Sequence, residues 1–121
     1  MLQDKLQQGL DVILEIDWQG AQQVRDTFPQ CHSIFILPPS LDELQRRLSR
    51  RATDSAEVIE SRMEQARSEM SHWAEFDYLV INDRFEAALD DLAAIVRSLR
   101  LGRQRQQRVN HDLLAELLGK G

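Results

Sequence analysis

Residues 12–20 read VILEIDWQG, an apolar run that ends in two carboxylates, Glu15 and Asp17, followed by a turn. Continuous apolar runs suit strands that are buried on both faces, as in parallel sheets covered by helices. Two similar runs follow, at residues 34–37 and 78–81. Because the stretches between the runs have helical patterns, we predict strands alternating with helices in an α/β fold.

Helix signals fill the stretches between the apolar runs and continue to the end of the chain. The predicted helices lie at residues 21–28, 41–48, 54–70, 85–99 and 112–118. Ser40 is expected to cap the second of them, and either Asp54 or Ser55 the third. Residues 2–9 read as the last turns of a helix that ends at Gly9, which predicts that the chain begins inside a domain.

The composition argues against several classes of protein. The chain has 121 residues, of which 42% are hydrophobic and 29% charged, which is ordinary for one globular domain. Its net charge of −5 argues against general nucleic-acid binding, and no apolar stretch approaches the roughly 20 residues of a membrane span. Cys31 is the single cysteine, which fits a cytoplasmic location and leaves no internal disulfide.

The two acids at the end of the first run have two interpretations. Open α/β sheets bind ligands at the carboxyl ends of their strands, so Glu15 and Asp17, on one side of a strand, could hold Mg²⁺ or a nucleotide group. Alternatively, they cap the helix that begins near Gly20, where negative charge is stabilising. The pattern alone does not separate these interpretations.

The segment RRLSRR, residues 46–51, places four arginines in two pairs one helical turn apart. Like charges at this spacing cost a helix roughly 0.2–0.5 kcal/mol per pair, a penalty that a bound polyphosphate would reverse. The alternative is a solvated face, with Asp42 and Glu43 one turn earlier and Asp54 just after. The basic stretch at residues 97–108 likewise suits a solvated face, packing on an acidic neighbour, or polyanion binding.

Asn82 and Asp83 follow the third apolar run, again at the edge of the sheet where ligands are expected. An asparagine amide can hydrogen-bond the edge of a purine. Asn-Asp is also an ordinary turn pair. Asn82 is therefore a candidate ligand residue with both interpretations open.

Taken in order, these segments resemble the C-terminal portion of bacterial guanylate kinases. The matching stretches are ILEIDWQGAQQV at 13–24, SIFILPPS at 33–40, ELQRRLSRRATDSAEVIESRM at 43–63 and EMSHWAEFDYLVINDRFEAALDDL at 69–92. The resemblance implies a partial P-loop kinase fold, with a short parallel sheet, flanking helices and an arginine-rich lid segment. It also implies transfer of the ATP γ-phosphate to GMP, giving ADP and GDP with Mg²⁺ as cofactor.

The resemblance further implies roles for particular residues on the nucleotides. Asp17 matches the acid that helps hold GMP. Glu15 stands where the family usually has aspartate, near the metal and phosphates. Asn82 matches the residue that lies against the adenine of ATP.

Three arginines match the catalytic positions of the family. Arg47 and Arg51 resemble the mobile-lid arginines that contact ATP and clasp the transferring phosphate, and Arg62 resembles their partner one helix later. Such arginines would act mainly in the transition state, where they neutralise charge on the equatorial oxygens.

The sequence departs from the family in several places. Arg50 and Ala52 flank Arg51 where the lid motif commonly has glycine, and Arg84 replaces the acid expected after Asp83. The sequence contains no G-x-x-x-x-G-K-[ST] phosphate loop, since its glycines stand at 9, 20, 102, 119 and 121. We therefore expect a truncated chain that is inactive alone.

We interpret residues 1–121 as one partial domain. Its parts are core strands with a crossover helix (10–40), lid-like helices (41–75), the last strand and helix (76–100) and a basic tail (101–121).

The alternatives to a kinase function are a non-catalytic guanylate-kinase-like binding module and a nucleic-acid binder that uses the tail. The expected partners are GMP and ATP, without a membrane. An exposed sheet edge or the C-terminal helices predict a homodimer or larger species.

Overall fold

A computed structural model describes residues 12–49 and 53–119 of the chain. Its elements, in order, are α1 (Trp18–Thr27), β1 (Ile34–Leu37), α2 (Leu41–Leu48), α3 (Ala56–Met70), a 3₁₀ turn (Trp73–Glu75), β2 (Tyr78–Ile81), α4 (Phe85–Arg100), α5 (Arg103–Val109) and α6 (His111–Leu117). The chain divides into a central unit, Ile16–Leu89, and a second unit formed by the described residues on either side. Helices alternating with parallel strands confirm the predicted α/β class.

β1 and β2 pair in parallel and form a two-stranded sheet among the described residues. In register, Ile34, Phe35, Ile36 and Leu37 lie opposite Tyr78, Leu79, Val80 and Ile81. The N–H of Asn82 donates to the carbonyl of Leu37 at 2.8 Å, which carries the pairing one residue past the end of β2. Because the strands are parallel, both carboxyl ends lie at the same edge of the sheet.

The first predicted strand, at residues 12–16, is wrong. Residues 12–17 lie in neither a helix nor a strand, and Ile13 is 82% exposed. A strand needs a neighbour for its backbone N–H and C=O groups, and in the described part of the chain β1 and β2 pair only with each other. The expectation that Glu15 and Asp17 share one side of a strand is wrong for the same reason.

Two predicted side-chain caps are confirmed. Ser40 Oγ accepts the N–H of Glu43 at 3.1 Å at the start of α2, and Ser55 Oγ accepts the N–H of Val58 at 3.2 Å at the start of α3. Each cap satisfies a backbone donor that the helix itself leaves unpaired. Pro38, Pro39 and Ser40 alone connect β1 to α2.

The buried apolar side chains of the described residues all belong to the central unit. They are Ala21, Phe35, Met63, Val80 and Ala88. Phe35 also meets Phe76 edge to face, with ring centroids 4.8 Å apart, a favourable arrangement for two aromatic rings. This small core draws on α1, both strands, α3 and the beginning of α4.

The C-terminal helices follow the sequence pattern closely. α4 confirms the helix predicted at residues 85–99, and α6 lies within one residue of the helix predicted at 112–118. α5 carries three arginines of the basic stretch. None of the helices in the described ranges has the length and apolar character needed to cross a membrane. The helix predicted at residues 2–9 lies outside the described residues.

We expect the substitution Ser40→Ala to lower the free energy of unfolding by about 1 kcal/mol, because the N–H of Glu43 loses its acceptor. The measurement is urea unfolding followed by circular dichroism. Ser61→Ala, on an exposed position of α3, is the matched control and should change stability by less than about 0.5 kcal/mol. Equal losses in the two variants would contradict the assigned cap.

Candidate functional site

Asp17 lies immediately before α1 and is its cap. Its Oδ1 accepts the N–H of Gly20 at 2.7 Å, and its backbone carbonyl accepts the N–H of Ala21 at 2.9 Å. α1 therefore begins at Trp18, earlier than the predicted start at Ala21. The capping interpretation of Asp17 is confirmed. Its Oδ2 has no hydrogen-bond partner among the described residues, so one acceptor remains for a ligand.

The absence of a side chain at Gly20 leaves room for this carboxylate. A Cβ at Gly20 would lie 3.2 Å from Asp17 Oδ1 and 3.1 Å from the Cβ of Ile16. Both distances are tighter than ordinary van der Waals contact, so any larger residue would push against the cap. The glycine thus permits the close approach of the Asp17 carboxylate to the helix end.

Two predicted site residues receive no geometry from the structure. Glu15 is exposed and lies in the segment without helix or strand. Arg51 lies outside the described residues, together with Arg50 and Ala52. The proposed roles of Glu15 and Arg51 stay predictions.

Arg47 and Asn82, which were predicted separately, are in direct contact. The Nη2 of Arg47 donates to the backbone carbonyl of Asn82 at 2.9 Å. The Nε of the same guanidinium donates to Glu43 Oε1 at 3.0 Å. Because the N–H of Asn82 is itself bonded to Leu37, the contact ties α2 to the carboxyl edge of the sheet. This edge is where open α/β folds bind ligands.

Glu43 neutralises two arginines of α2 at once. It forms ion pairs with Arg46, whose side chain is 74% exposed, and with Arg47, which is 34% exposed. Its hydrogen bond with Arg46, together with the charges of both arginines, lowers the pKa of the Glu43 carboxyl below its usual range. The same contact raises the pKa of Arg46. The predicted alternative, in which acids one turn earlier serve these arginines, is therefore confirmed for Glu43.

Arg62 lies across the region between α2 and α3. Its Nη1 donates to the backbone carbonyl of Leu48 at 2.7 Å and to Asp54 Oδ2 at 2.9 Å. The guanidinium thus joins the end of α2 to the residues that precede α3. Asp54, suggested by its position as a partner for Arg50 or Arg51, pairs with Arg62. The catalytic role of Arg62 stays a prediction.

One long-range contact beside Asp17 was not predicted from the sequence. The backbone N–H of Trp18 donates to Glu69 Oε1 at 3.0 Å, and the Trp18 indole stacks on the ring of His72. The residues joined by the hydrogen bond stand 51 positions apart. No local pattern in a sequence reports a contact over that separation, so no signal was available to find it.

Comparisons with known proteins agree on one family. A sequence model described as guanylate kinase matches residues 2–99. The chain is 60% identical over 118 residues to the guanylate kinase of Pseudomonas fluorescens (strain Pf0-1), covering 98% of this chain and 57% of the relative. It is 55% identical over 117 residues to the guanylate kinase of Salmonella typhimurium, covering 97% of this chain and 56% of the relative.

A solved structure shows the same similarity in three dimensions. The crystal structure of guanylate kinase from Anaplasma phagocytophilum matches with a TM-score of 0.72 and 32% sequence identity, over 86% of this chain and 49% of that chain. The chain thus spans about half the length of the relatives that it matches. By sequence and by fold, this chain belongs to the guanylate kinase family.

Proposed function

We propose that this chain serves in the transfer of the γ-phosphate of ATP to GMP, which yields ADP and GDP. The observation that carries the proposal is the contact between Arg47 and Asn82. It joins the arginine expected to clasp the transferring phosphate to the residue expected to lie against adenine. Both lie at the carboxyl edge of the sheet, where open α/β folds bind their ligands.

Arginines supply the electrostatic part of this mechanism. Charge spreads over the equatorial oxygens of the phosphoryl group during transfer, and guanidinium groups stabilise that charge by two parallel hydrogen bonds. Arg47 has an Nη1 without a partner among the described residues, and its Nε contact to Glu43 is an exposed ion pair that a phosphate can replace. Glu43 would keep Arg46 as its counter-ion. Arg51 and Arg62 complete the proposed set.

The acids before α1 serve the acceptor side in this proposal. Asp17 keeps Oδ1 on Gly20 and offers Oδ2 to a hydrogen-bond donor of GMP. Because the backbone cap fixes one oxygen, the orientation of the other is set before GMP binds. Glu15 is proposed to lie near the phosphates and the metal.

We propose Mg²⁺, bound together with ATP, as the cofactor. Among the described residues no group of three or more His, Cys, Asp or Glu side chains could hold a metal by itself. Mg²⁺ is commonly held by one or two carboxylates together with substrate phosphates and water, so the exposed carboxylate of Glu15 fits as one donor. The ion would neutralise charge on the phosphates.

A phosphate loop is a further requirement of this chemistry. Positioning and electrostatics supply most of the catalysis in phosphoryl transfer, and a glycine-rich loop cradles the β- and γ-phosphates. The 121 residues contain no such motif. We therefore propose that these residues contribute the lid arginines and nucleotide contacts, and that turnover needs a phosphate loop in addition.

Since ATP and GMP are cytoplasmic metabolites, we propose a cytoplasmic location.

We expect Arg47→Ala to weaken binding of Mg-ATP to the chain by about tenfold or more, since a hydrogen bond to a charged group contributes about 1.5–3 kcal/mol. Titration calorimetry at low salt is the measurement, with ADP release in the presence of GMP as a second readout. Arg46→Ala is the matched control, because Arg46 precedes Arg47 on α2 but contacts only Glu43 among the described residues.

Three results separate the possibilities for this chain. Equal effects of the two arginine variants would contradict the role of Arg47. A wild-type chain that binds neither nucleotide would contradict the proposed function and favour a non-catalytic binding module. Turnover by the wild-type chain, abolished by Arg47→Ala, would show that no additional phosphate loop is needed.

The pKa of Glu43 tests whether Arg46 is its main partner. We expect ¹³C NMR titration to give a Glu43 pKa below the usual value for glutamate, and Arg46→Ala to raise this pKa further than Arg47→Ala does. Because the folded-state pKa is the lower one, the contact stabilises the fold above the unfolded-state pKa, and this stability is lost as the pH falls through the folded-state value. A Glu43 titration unchanged by Arg46→Ala would contradict the assignment.

We also propose that the chain self-associates. Within the described residues β1 and β2 each have a single neighbouring strand, so each has an open edge. On the C-terminal helices Leu117 is 70% exposed, and Leu113, Leu114 and Leu118 are exposed as well. Contiguous exposed apolar side chains of this kind mark interaction surfaces.

Light scattering measures this association directly. We expect a mass at least about twice the 14.0 kDa of one chain, and a mass closer to one chain for Leu117→Lys if the helices form the contact. Gln104→Lys, at an exposed position of α5, is the control for the added charge. A monodisperse wild-type monomer would rule out the proposal.

A further inference from the structure

The first turn of α1 is held by residues from the far end of α3 and the turn after it. The backbone N–H of Trp18 is one of the donors that a helix leaves unpaired at its start, and it donates to Glu69 Oε1 at 3.0 Å in a partly buried position. A carboxylate at this place is also favoured by the helix dipole. The Trp18 indole lies almost parallel to the imidazole of His72, with centroids 3.6 Å apart and an angle of 9° between the planes.

The turn that follows α3 also contacts α1 further along the helix, at Arg25. His72 Nδ1 is hydrogen-bonded to the carboxylate of Glu75, and Glu75 lies 3.6 Å from the guanidinium of Arg25. Arg25 follows Trp18 by two helical turns, so both residues lie on one face of α1. Ala21, between them on that face, is buried. Contacts at both levels oppose sliding or rotation of α1 relative to the end of α3.

The contacts of Trp18 also fix the position of Asp17, the residue before it. The Asp17 carboxylate accepts a hydrogen bond from Gly20 in the first turn of α1, so it moves together with the start of that helix. One oxygen is occupied by the cap and the other has no partner among the described residues. The direction of the unoccupied oxygen is therefore set by whatever holds Trp18 in place.

We propose that Glu69 and His72 are positioning residues for Asp17. By holding the backbone and the ring of Trp18, they aim Asp17 Oδ2 at the GMP that the proposed function places there, and the inference rests on that function. They need not touch the nucleotide. The residues proposed for ATP, Arg47 and Asn82, are held by other contacts. The loss of Glu69 should therefore affect GMP binding and leave ATP binding nearly unchanged.

The first experiment compares nucleotide affinities of the full chain by titration calorimetry. Glu69→Ala should weaken GMP binding by about tenfold, as expected for one lost hydrogen bond to a charged group, and change Mg-ATP binding by less than about twofold. Glu69→Gln keeps an oxygen that can accept from Trp18, so it should restore much of the affinity. Glu64→Ala, at an exposed position of the same helix, is the matched control.

The stacked ring has its own pair of variants. His72→Phe keeps a flat ring against Trp18, whereas His72→Ala removes it. We expect the alanine variant to weaken GMP binding and the phenylalanine variant to retain most of the affinity. Parallel losses of GMP and ATP binding in Glu69→Ala and His72→Ala would indicate general destabilisation and overturn the proposal.

A double-mutant cycle tests whether Glu69 acts through Asp17. Asp17→Ser keeps a capping oxygen but has no second oxygen to offer GMP. In that background Glu69→Ala should cause little further loss of GMP affinity, because the group it positions is gone. A loss as large as in the wild-type background would show that Glu69 acts independently of Asp17 and would overturn the proposal.

Amide hydrogen exchange separates this inference from the proposed function. Glu69→Ala should speed exchange of the Trp18 N–H by about tenfold or more, and Glu69→Gln should not, whether or not a nucleotide binds. A wild-type chain that bound no GMP would contradict the role of Asp17. The exchange rate of the Trp18 N–H would still test its hydrogen bond with Glu69. Unchanged exchange at Trp18 in Glu69→Ala would overturn the positioning role.

Discussion

The backbone ladder between β1 and β2 joins stretches of chain that stand 44 residues apart, as the bonds between Ser33 and Asp77 at its start show. Loop closure over such a distance costs entropy, and the buried faces of Phe35 and Val80 help to offset it. The ladder also fixes Asn82, whose N–H is bonded to Leu37. Arg47 can reach the carbonyl of Asn82 only because the two strands end together. The geometry proposed for ATP thus depends on this pairing.

Arg46, Arg47 and Arg62 are each held by partners within the chain. Glu43 holds Arg46 and Arg47, while Asp54 and the carbonyl of Leu48 hold Arg62. The ion pairs of Glu43 are exposed, and ion pairs of this kind contribute only about 0–1 kcal/mol each, because both ions are well solvated when they separate. A phosphate with two or more negative charges can therefore replace a single carboxylate. Such contacts restrict the conformations of the arginines without preventing their use.

Local signals in the sequence were enough for much of the fold. The caps Ser40 and Ser55 and the helix at residues 85–99 depend on short-range patterns, and the structure confirms them. The strand at residues 12–16 was predicted wrongly, because an apolar run indicates burial but does not supply the neighbouring strand that burial requires. Whether a neighbouring strand is present depends on long-range contacts, which cannot be predicted from the apolar run alone.

The candidate site divides in the same way. Asn82 could be named from the rule that ligands lie at the carboxyl ends of parallel strands, and Arg47 from the paired arginines at residues 46–51 and the family resemblance. Their mutual hydrogen bond could not, since it depends on the rotamer of a long side chain. The contacts of Trp18 with Glu69 and His72 likewise join distant parts of the chain, so tertiary structure alone reveals them.

The two prolines between β1 and α2 have a consequence for motion. Proline fixes φ near −65° and has no backbone donor, so Pro38 and Pro39 have few alternative conformations to lose when the chain folds. Ordering an ordinary residue costs about 1–2 kcal/mol of backbone entropy, and this connection avoids part of that cost. A stiff connection also transmits orientation, because the start of α2 follows the end of β1. Any swing of α2 that carries Arg47 toward a ligand must therefore tilt the strand as well, or bend the helix beyond Ser40.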